Sequence, residues 1–190
     1  MPSFSCVAGV DEAGRGALAG PVVAAAVILA PDFPITILKD SKLLSAEQRE
    51  DIFVLLTGCE IGVGIVSHGM IDRINIFKAT MEAMKRAVAK LKNKPGEVLI
   101  DGNKTPNIKG ARAIVQGDRT VPAISAASIV AKVTRDRIMR NLAIKFPQYR
   151  FDAHKGYGTA LHYDLLFQHG PCGVHRRSFN LTRQEPLFEI

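Results

Sequence analysis

The sequence has 190 residues, of which 47% are hydrophobic, and its 25 Lys and Arg against 18 Asp and Glu give a formal net charge of +7. This length and apolar content fit one domain with an ordinary core, so the chain should fold without disulfide or metal staples. The basic excess favours a polyanionic partner, because Lys and Arg that neutralise phosphates release condensed counterions.

Cysteine usage and the absence of targeting signals indicate a cytoplasmic protein. Cys6, Cys59 and Cys172 lie far apart and form no Cys-x-x-Cys pair, which argues against a disulfide framework and a zinc site. The N-terminus shows no charged region followed by an apolar stretch, so no signal peptide is expected. Residues 17–34 are rich in apolar side chains, but Gly and Pro interrupt them too often for a bilayer span. We expect a monomer that does not contact membranes.

The first third of the chain predicts three strands and a helix. Residues 6–10 and 22–29 are apolar runs joined by a Gly-rich segment, so they can pair as a hairpin. Residues 60–67 alternate apolar and small side chains, which is typical of a strand. A helix is expected to begin after Ser45, because Ser45 and Gln48 have the spacing of a capping box.

The rest of the chain predicts helices that alternate with strands. Residues 76–91 should form a helix, with an apolar stripe of Phe77, Met81, Met84, Val88 and Leu91. Short strands are expected at 97–100 and 111–115, followed by a long helix at 123–146 and a shorter one at 159–168. This order predicts a mixed sheet with helices on both faces.

Acidic residues follow two of these strands directly. Asp11 and Glu12 come after the first apolar run, and Asp101 comes after residues 97–100. If the two strands are neighbours, these oxygen donors converge, and they suit Mg²⁺ or Mn²⁺ better than zinc. The alternative is a solvated strand end, because Asp followed by Gly is common in turns. Spacing alone leaves both interpretations open.

Seven blocks of sequence closely resemble ribonuclease HII, the bacterial type 2 ribonuclease H. They occur in the family's order and span nearly the whole chain, so the set is far more specific than any single motif. The blocks are VAGVDEAGRG at 7–16, DSKLLS at 40–45, LIDGN at 99–103, GD at 117–118, ISAASIVAKVTRD at 124–136, HKGYGT at 154–159 and HRRSF at 175–179.

The resemblance implies a fold, a domain organisation and an activity. It implies an α/β ribonuclease H-like fold with a five-stranded mixed sheet flanked by helices and a helical C-terminal part. Residues 1–180 would form this catalytic domain and 181–190 a flexible C-terminal tail. The implied reaction is hydrolysis of the RNA strand of RNA–DNA hybrids and nicking 5′ of single ribonucleotides in duplex DNA, which leaves 5′-phosphate and 3′-hydroxyl ends.

The resemblance also implies a four-carboxylate centre made of Asp11, Glu12, Asp101 and Asp118. Two divalent ions roughly 3.5–4 Å apart can bind both sides of one phosphodiester, so two Mg²⁺ or Mn²⁺ ions are expected in the active complex. Asp11 and Asp101 would be the central ligands, and Glu12 and Asp118 would complete the two sites. Asp118 has an alternative reading as part of the turn before a helix that starts at Pro122.

Recognition of ribose is assigned by the resemblance to Gly14, Arg15, Gly16 and Tyr157. A nuclease that distinguishes RNA from DNA must sense the 2′-hydroxyl, and glycines allow backbone groups to approach a sugar closely. The alternatives are a tight turn for the two glycines and a half-buried loop ring for Tyr157.

Phosphate contacts are expected from polar residues within the matching blocks. Most Lys and Arg side chains belong only to a solvated surface, and Ser125 has the alternative role of starting a helix. The histidines show no metal-ligand spacing, and we expect them to be structural or to face phosphate. The candidate phosphate contacts are Lys39, Lys42, Ser125, Lys132, Arg135, Lys155, Arg176 and Arg177.

The C-terminus contains a possible docking peptide. Gln184, Leu187 and Phe188 match the Gln-x-x-Leu-Phe pattern by which bacterial proteins dock on the replication sliding clamp. Two adjacent apolar anchors can fill a groove on a partner. The alternative is that Leu187 and Phe188 fold back onto their own domain.

Three other functions compete with this interpretation. The chain could be another ribonuclease H-like nuclease, such as a ribonuclease HIII or a resolvase, or a non-catalytic nucleic-acid binder with the same fold. Intact acids at all four positions argue against the binder. A nucleotide hydrolase is disfavoured, because no Gly-Lys-Ser/Thr follows the glycines at 9–16.

Overall fold

The computed structural model describes residues 6–38 and 44–182. Within these ranges the chain forms five strands and seven α-helices, with two short 3-10 helices at Ile35–Ile37 and Pro147–Tyr149. The strands are β1 (Val7–Ala13), β2 (Val22–Ile28), β3 (Glu60–Val66), β4 (Glu97–Asp101) and β5 (Ala111–Ile114). The helices are α1 (Ala46–Leu56), α2 (His68–Ile74), α3 (Ile76–Ala89), α4 (Gly117–Thr120), α5 (Pro122–Lys145), α6 (Phe151–His154) and α7 (Ala160–His169).

The strands form one mixed sheet in the order β3-β2-β1-β4-β5. β1, β2 and β3 pair antiparallel, which confirms the predicted hairpin, whereas β4 runs parallel to both β1 and β5. The predicted mixed five-stranded sheet with flanking helices is therefore confirmed. Because β1 and β4 are parallel neighbours, their C-terminal ends open at the same edge of the sheet, where open α/β sheets bind ligands.

The first face of the sheet packs against α5. Gly9 of β1 lies so close to this helix that a Cβ atom there would come within 2.0 Å of the Ala123 carbonyl carbon. Small helix residues, Ala126, Ala127 and Ala131, fill the core behind the contact. This tight packing fixes where the start of α5 lies relative to the end of β1.

The second face packs against α3, and here the predicted apolar stripe was wrong in part. Phe77 is 45% exposed, whereas the side chains nearest the sheet are Ala83 and Ala87. A Cβ atom on Gly64 or Gly62 of β3 would lie about 2 Å from the carbonyl oxygens of these two alanines. Glycine on the strand and alanine on the helix therefore let the two backbones approach closely. The predicted stripe is confirmed at Met84 and Leu91, which are buried, and at Met81 and Val88, which pack against the same core.

Local signals account for several boundaries. Ser45 accepts a hydrogen bond from the Gln48 backbone N–H and donates its own N–H to Gln48 Oε1, so the predicted capping box is confirmed. The sequence did not predict α2, α4 or α6, which have seven, four and four residues. Helices this short show too few turns for a periodic pattern.

A third hydrophobic cluster joins the C-terminal part to the domain. Met139 of α5, Phe151 of α6 and Leu166 of α7 pack around Leu18 and Ala19, which lie between β1 and β2. Leu181, which we placed in the predicted tail, also packs against this cluster. The rest of the predicted tail, 183–190, lies outside the described residues. In the ranges 6–38 and 44–182, no helix has the length and apolar character that spanning a membrane requires.

Candidate active site

Asp11 and Asp101 lie side by side on the two central strands. Val10 of β1 pairs with Ile100 of β4, and the next residue on each strand is one of these acids. We predicted Asp11 and Glu12 beyond the end of the first strand, but β1 continues to Ala13, so both acids belong to the strand itself. The sheet therefore fixes their backbones, which makes their positions more rigid than those of loop residues.

Asp118 is brought to the same place by α4. The Asp101 carboxylate accepts hydrogen bonds from the backbone N–H groups of Gly117 and Asp118, at 2.8 and 3.3 Å from its Oδ1 atom. An acid at a helix N-terminus is favourable, because unpaired N–H groups point towards it. Asp118 is 3% exposed, and the Ser125 hydroxyl donates to its carbonyl at 2.7 Å. The turn expected at 117–118 is thus a short helix that orients an acid.

Burial and crowding perturb the acids of β1. Asp11 is 6% exposed, and its pKa is raised well above the ordinary value, first by burial and then by the charge of Glu12. A hydrogen bond from the Ser128 side chain opposes this rise. Burial also raises the pKa of Glu12, against the influence of Arg15, whose guanidinium lies 3.1 Å from Glu12 Oε1. Carboxylates held in this way favour a cation beside them.

The chemistry of the four acids fits hard divalent cations. Asp11, Glu12, Asp101 and Asp118 together line one cleft of about 310 Å³, and no His or Cys lines it with them. Oxygen donors of this kind suit Mg²⁺ and Mn²⁺. In the described part of the chain, no three His, Cys, Asp or Glu side chains already form a finished metal cage.

Two further residues of the cleft were missed as site residues by sequence reasoning. Ser128 and Arg49 both line it. The spacing of Ser125, Ser128 and Lys132 places these side chains on one face of a helix, so Ser128 could have been found from the sequence. Arg49 is on α1, and no local pattern connects that helix to the cleft.

Two of the proposed sugar-recognition residues, Gly14 and Tyr157, form part of the same cleft; together with Arg15 and Gly16 we call them the recognition wall. An isolated β-bridge between Ala17 and Tyr157 links the segments of Gly14 and Tyr157. Gly14 has a φ of +94°, and a Cβ atom there would come 2.0 Å from Nε of Arg135. Gly16 faces open space, with no atom within 4 Å of an added Cβ. The two glycines therefore serve different purposes: Gly14 permits close packing, and Gly16 leaves room in front of the loop.

Two fully buried arginines hold this wall from behind. Arg176 donates to the carbonyls of Gly14, Arg15, Gly20 and Pro21, at 2.7 to 3.2 Å. Arg135 donates to the carbonyls of Pro21, Lys155 and Ala19, and its guanidinium lies 5.1 Å from the centre of the Tyr157 ring. Burial lowers the pKa of Arg176 to about 9.

These contacts correct part of the phosphate-contact prediction. Arg135 and Arg176 are both 0% exposed and bind main-chain carbonyls, so the prediction that they contact phosphate was wrong. Ser125 is also buried, at 3% exposed, and orients Asp118 instead. All three shape the cleft from behind and do not line it. A matching sequence motif cannot distinguish these two roles.

The remaining candidates lie at or beyond the rim. Lys132 lines the cleft, pairs with Asp136 at 2.8 Å and lies 5.5 Å from the centre of the Tyr157 ring. Lys155 donates to the carbonyl of Asp152, and Arg177 is exposed beside Pro171. The candidates that lie outside the described residues are Lys39, Lys42, Gln184, Leu187 and Phe188.

Comparison with known proteins identifies a family for this arrangement. The family model described as Ribonuclease HII matches residues 8–182. A ribonuclease HII of Bordetella pertussis is 52% identical over 181 residues, which cover 94% of this chain and 90% of the relative.

Two solved structures resemble the fold. The ribonuclease HII in a complex with PCNA from Archaeoglobus fulgidus superposes with a TM-score of 0.75 at 28% identity, covering 96% of this chain and 98% of that one. Bst-RNase HIII in complex with Mn²⁺ gives a TM-score of 0.73 at 17% identity, covering 93% of this chain and 68% of that one, which shows a similar fold.

Proposed function

This chain belongs to the ribonuclease HII family and is therefore an endoribonuclease H, and we propose that it is a metal-dependent one that nicks DNA 5′ of single ribonucleotides as well as cutting RNA–DNA hybrids. The observation that carries the proposal is the convergence of Asp11, Glu12, Asp101 and Asp118 on one cleft. The products would be 5′-phosphate and 3′-hydroxyl ends.

The four acids would hold two divalent ions, Mg²⁺ or Mn²⁺. Asp11 and Asp101 would be the central ligands, with Glu12 and Asp118 on either side. Bound there, the ions supply charge stabilisation at the attacking and departing oxygens of a phosphodiester. The raised pKa values of Asp11 and Glu12 support this assignment, because a bound cation would offset the burial, and the neighbouring negative charge, that raise them.

The recognition wall would select the sugar. Gly14, Arg15 and Gly16 would present backbone groups to the ribose 2′-hydroxyl, and the Tyr157 ring would pack against the junction sugar. Lys132 and Arg49 line the same cleft and are suited to hold the phosphates on either side. Together these contacts would place a ribose phosphate across the acids, which is the positioning that phosphodiester hydrolysis needs.

An Asp101→Asn variant tests the centre. Asparagine keeps an oxygen that can accept the N–H groups of Gly117 and Asp118, so the fold of α4 is preserved while one negative charge is removed. The assay is nicking of duplex DNA with one ribonucleotide, with and without Mn²⁺, beside an all-DNA duplex.

Each outcome of this assay has a defined meaning. Wild-type protein should nick only the ribonucleotide duplex and only with metal, and the variant should bind it without cutting. Metal-independent cleavage, or full activity in the variant, would refute the proposed centre. Binding by the wild-type protein without any cleavage would instead favour a non-catalytic binder.

The C-terminal peptide is proposed to dock on the replication sliding clamp through Gln184, Leu187 and Phe188. The related structure from Archaeoglobus fulgidus is a complex of ribonuclease HII with PCNA, which supports a partner of this kind. Deleting residues 184–190 should abolish binding to the clamp in titration calorimetry and leave cleavage unchanged. A matched Glu189→Ala variant should bind the clamp as tightly as wild type. If the deletion variant also keeps wild-type affinity for the clamp, the docking proposal is wrong.

The remaining proposals concern organisation and location. We propose that residues 1–180 form one catalytic domain followed by a tail at 181–190, and that the chain acts as a monomer in the cytoplasm. The free thiols of Cys6, Cys59 and Cys172 support a reducing compartment. Sedimentation equilibrium at the concentrations used for the cleavage assay tests the monomer, since a dimer would sediment at twice the mass of 20.6 kDa.

A further inference from the structure

Three buried histidines lie beneath Tyr157 and touch none of the acids. His154, His162 and His175 are 8%, 0% and 1% exposed, so they face no phosphate. The His154 and His162 rings stack with 4.1 Å between their centres, and Nε2 of His162 lies 3.0 Å from Nε2 of His175. Such a cluster at a recognition wall calls for a physical reason, because polar rings are seldom buried in this number.

Backbone partners at both ends determine which nitrogen of each ring carries a proton. The Cys172 N–H can only donate, so Nδ1 of His175, 2.9 Å away, accepts and the proton of His175 lies on Nε2. His175 then donates from Nε2 to Nε2 of His162. The proton of His162 therefore lies on Nδ1, which is 3.0 Å from the Tyr157 carbonyl oxygen and donates to it.

This chain of hydrogen bonds from Cys172 through His175 and His162 to Tyr157, here called the relay, requires both histidines to be neutral. Each ring then has one donor and one acceptor, and each meets a complementary partner. Burial lowers the pKa of both His162 and His175 to about 4, which keeps them neutral at physiological pH. Among neighbouring charges, His154 lowers the pKa of both histidines, and Arg177 and His68 lower that of His175. The carboxylates in this region are Asp72, which binds the backbone N–H groups of Arg177 and Ser178, and Asp152, which acts on His154.

The relay connects Tyr157 to the chain segment around His175, and the same segment also holds the glycine loop at 14–16. His175 is followed by Arg176, which binds the carbonyls of Gly14 and Arg15. The Tyr157 carbonyl also accepts the N–H of Thr159, but that bond is local to its own turn. The bond from His162 ties Tyr157, through His175, to the segment that positions the glycine loop, in addition to the direct β-bridge between Tyr157 and Ala17.

We infer that His162 is a positioning residue for Tyr157, and that His175 fixes the His162 tautomer on which this depends. The inference rests on the proposed contact between Tyr157 and the junction sugar. His162 acts through the Tyr157 backbone and does not touch substrate. Its loss should therefore shift the Tyr157 ring over the cleft without removing any group that performs chemistry.

Replacing His162 by its two amide analogues separates positioning from folding. In His162→Asn the side-chain NH₂ lies near the position of Nδ1 and can still donate to the Tyr157 carbonyl. In His162→Gln the amide lies further out, near Nε2, and that bond is lost. His162→Asn loses the bond from His175, whereas the amide oxygen of His162→Gln, near Nε2, can still accept it. Each variant therefore loses one of the two bonds, and their melting temperatures should fall by similar amounts. His169→Asn, on the exposed side of α7, is the matched control.

The readout is kcat/KM for nicking at a single ribonucleotide in duplex DNA. We expect His162→Asn to stay within about twofold of wild type and His162→Gln to lose about five- to tenfold, the range for one lost hydrogen bond. If the two variants lose activity equally, in proportion to their melting temperatures, His162 is only structural and the inference is overturned.

A double-mutant cycle with Tyr157→Ala locates the effect. If His162 acts through Tyr157, His162→Gln should cause no further loss of activity in the Tyr157→Ala background, and additive losses would overturn the inference. Full activity of Tyr157→Ala alone would refute the proposed sugar contact and the positioning role together.

Nitrogen NMR of ¹⁵N-histidine-labelled protein tests the relay without a measurement of enzyme activity. It should report the Nδ1–H tautomer for His162 and the Nε2–H tautomer for His175. The Nε2–H tautomer at His162 would overturn the inference and leave the proposed function untouched.

Discussion

Two parts of the cleft bury charge in opposite ways: the acid wall, made of Asp11, Glu12, Asp101 and Asp118, and the recognition wall with the two arginines behind it. On the acid wall, Asp11 is buried beside Glu12 and its pKa is raised well above normal. On the recognition wall, Arg135 and Arg176 are buried completely, yet each guanidinium binds three or more main-chain carbonyls. The acid wall buries negative charges close together, although they repel one another. The recognition wall buries positive charges that are hydrogen-bonded to backbone carbonyls.

The difference indicates which partner each wall needs. A buried charge is tolerated when hydrogen bonds replace its hydration, as they do for Arg176, and the wall that it supports is complete without a ligand. Burial and the neighbouring charge of Glu12 raise the pKa of Asp11, and an added cation would offset both. The acid wall should therefore respond to metal, and the recognition wall should respond mainly to changes in its own hydrogen bonds.

The largest expected effect is that of Asp11→Asn on the acid wall. Loss of a central metal ligand removes several kcal/mol of charge stabilisation, so cleavage should fall by a factor on the order of 10³. The fold should gain, because asparagine accepts the Glu12 N–H as Asp11 does at 2.7 Å but carries no charge to bury. Nicking assays and thermal unfolding of the same preparation measure both changes.

The pH dependence of stability in Asp11→Asn gives the sign of the effect. Because the folded-state pKa of Asp11 is raised, the folded protein keeps a proton that the unfolded chain has lost between the ordinary pKa and the raised value. Wild-type stability should therefore fall as pH rises through that window in metal-free buffer, and the variant should lack this component. Added Mn²⁺ should stabilise wild type more than the variant. A variant that is less stable than wild type at high pH would contradict the description of the acid wall.

The next largest effect is that of Arg176→Lys on the recognition wall. A lysine ammonium has three donors on one atom and cannot reach four carbonyls spread over two loop segments, so buried acceptors are left without partners. We expect a loss of about 3 kcal/mol of unfolding free energy in urea titrations, since breaking a buried charged network usually costs this much. Arg177→Lys, one residue along and exposed, should change stability by less than about 0.5 kcal/mol. Equal effects in the two variants would show that the buried network contributes little.

Gly14→Ala and Gly16→Ala compare two positions of one loop. Alanine at 14 must adopt a φ near +94° and would meet Arg135 at 2.0 Å, so we expect a loss of about 2 kcal/mol. Alanine at 16 meets nothing within 4 Å, and stability should stay within about 0.5 kcal/mol of wild type. Nicking should nevertheless fall in Gly16→Ala if a sugar approaches that backbone. Unchanged nicking in this stable variant would remove Gly16 from the recognition site.

Much of this arrangement could be predicted from the sequence. The hairpin, the helix at α5 and the acid at the end of β4 follow from local patterns, because apolar periodicity depends only on neighbouring residues. The motif resemblance connected Asp118 with Asp101, although nothing in the spacing indicates that the Asp101 carboxylate caps α4.

The errors share a physical cause. Arg135, Arg176 and Ser125 are polar residues in conserved-looking motifs, and the sequence gives no sign that they point inward, because burial depends on carbonyls up to 162 residues away in the chain. The α3 stripe was wrong only at Phe77, which is exposed, and the helix pattern gave no sign of the close approach of Ala83 and Ala87 to two glycines of β3. Long-range contacts decide both cases, and only the folded chain contains them.

The smallest expected effect on stability, and the most informative about selectivity, is that of Arg15→Ala. The Arg15 side chain is 54% exposed and pairs with Glu12 at 3.1 Å, an ion pair that should contribute less than about 1 kcal/mol. Its removal also withdraws a cation that lowers the pKa of Glu12.

Arg112→Ala is a matched control for Arg15→Ala. Arg112 forms an ion pair of similar length, 3.0 Å, with Glu97, which, unlike Glu12, does not line the cleft. Both variants should therefore lose similarly little stability, but only Arg15→Ala should reduce the preference for a ribonucleotide duplex over all-DNA duplex. Arg15 lies where the two walls of the cleft meet, since its side chain pairs with the acid wall and its carbonyl is held by Arg176. If selectivity survives Arg15→Ala unchanged, sugar sensing must come from the backbone of the loop and from Tyr157, and the buried Arg176, which holds that backbone, becomes important for selectivity.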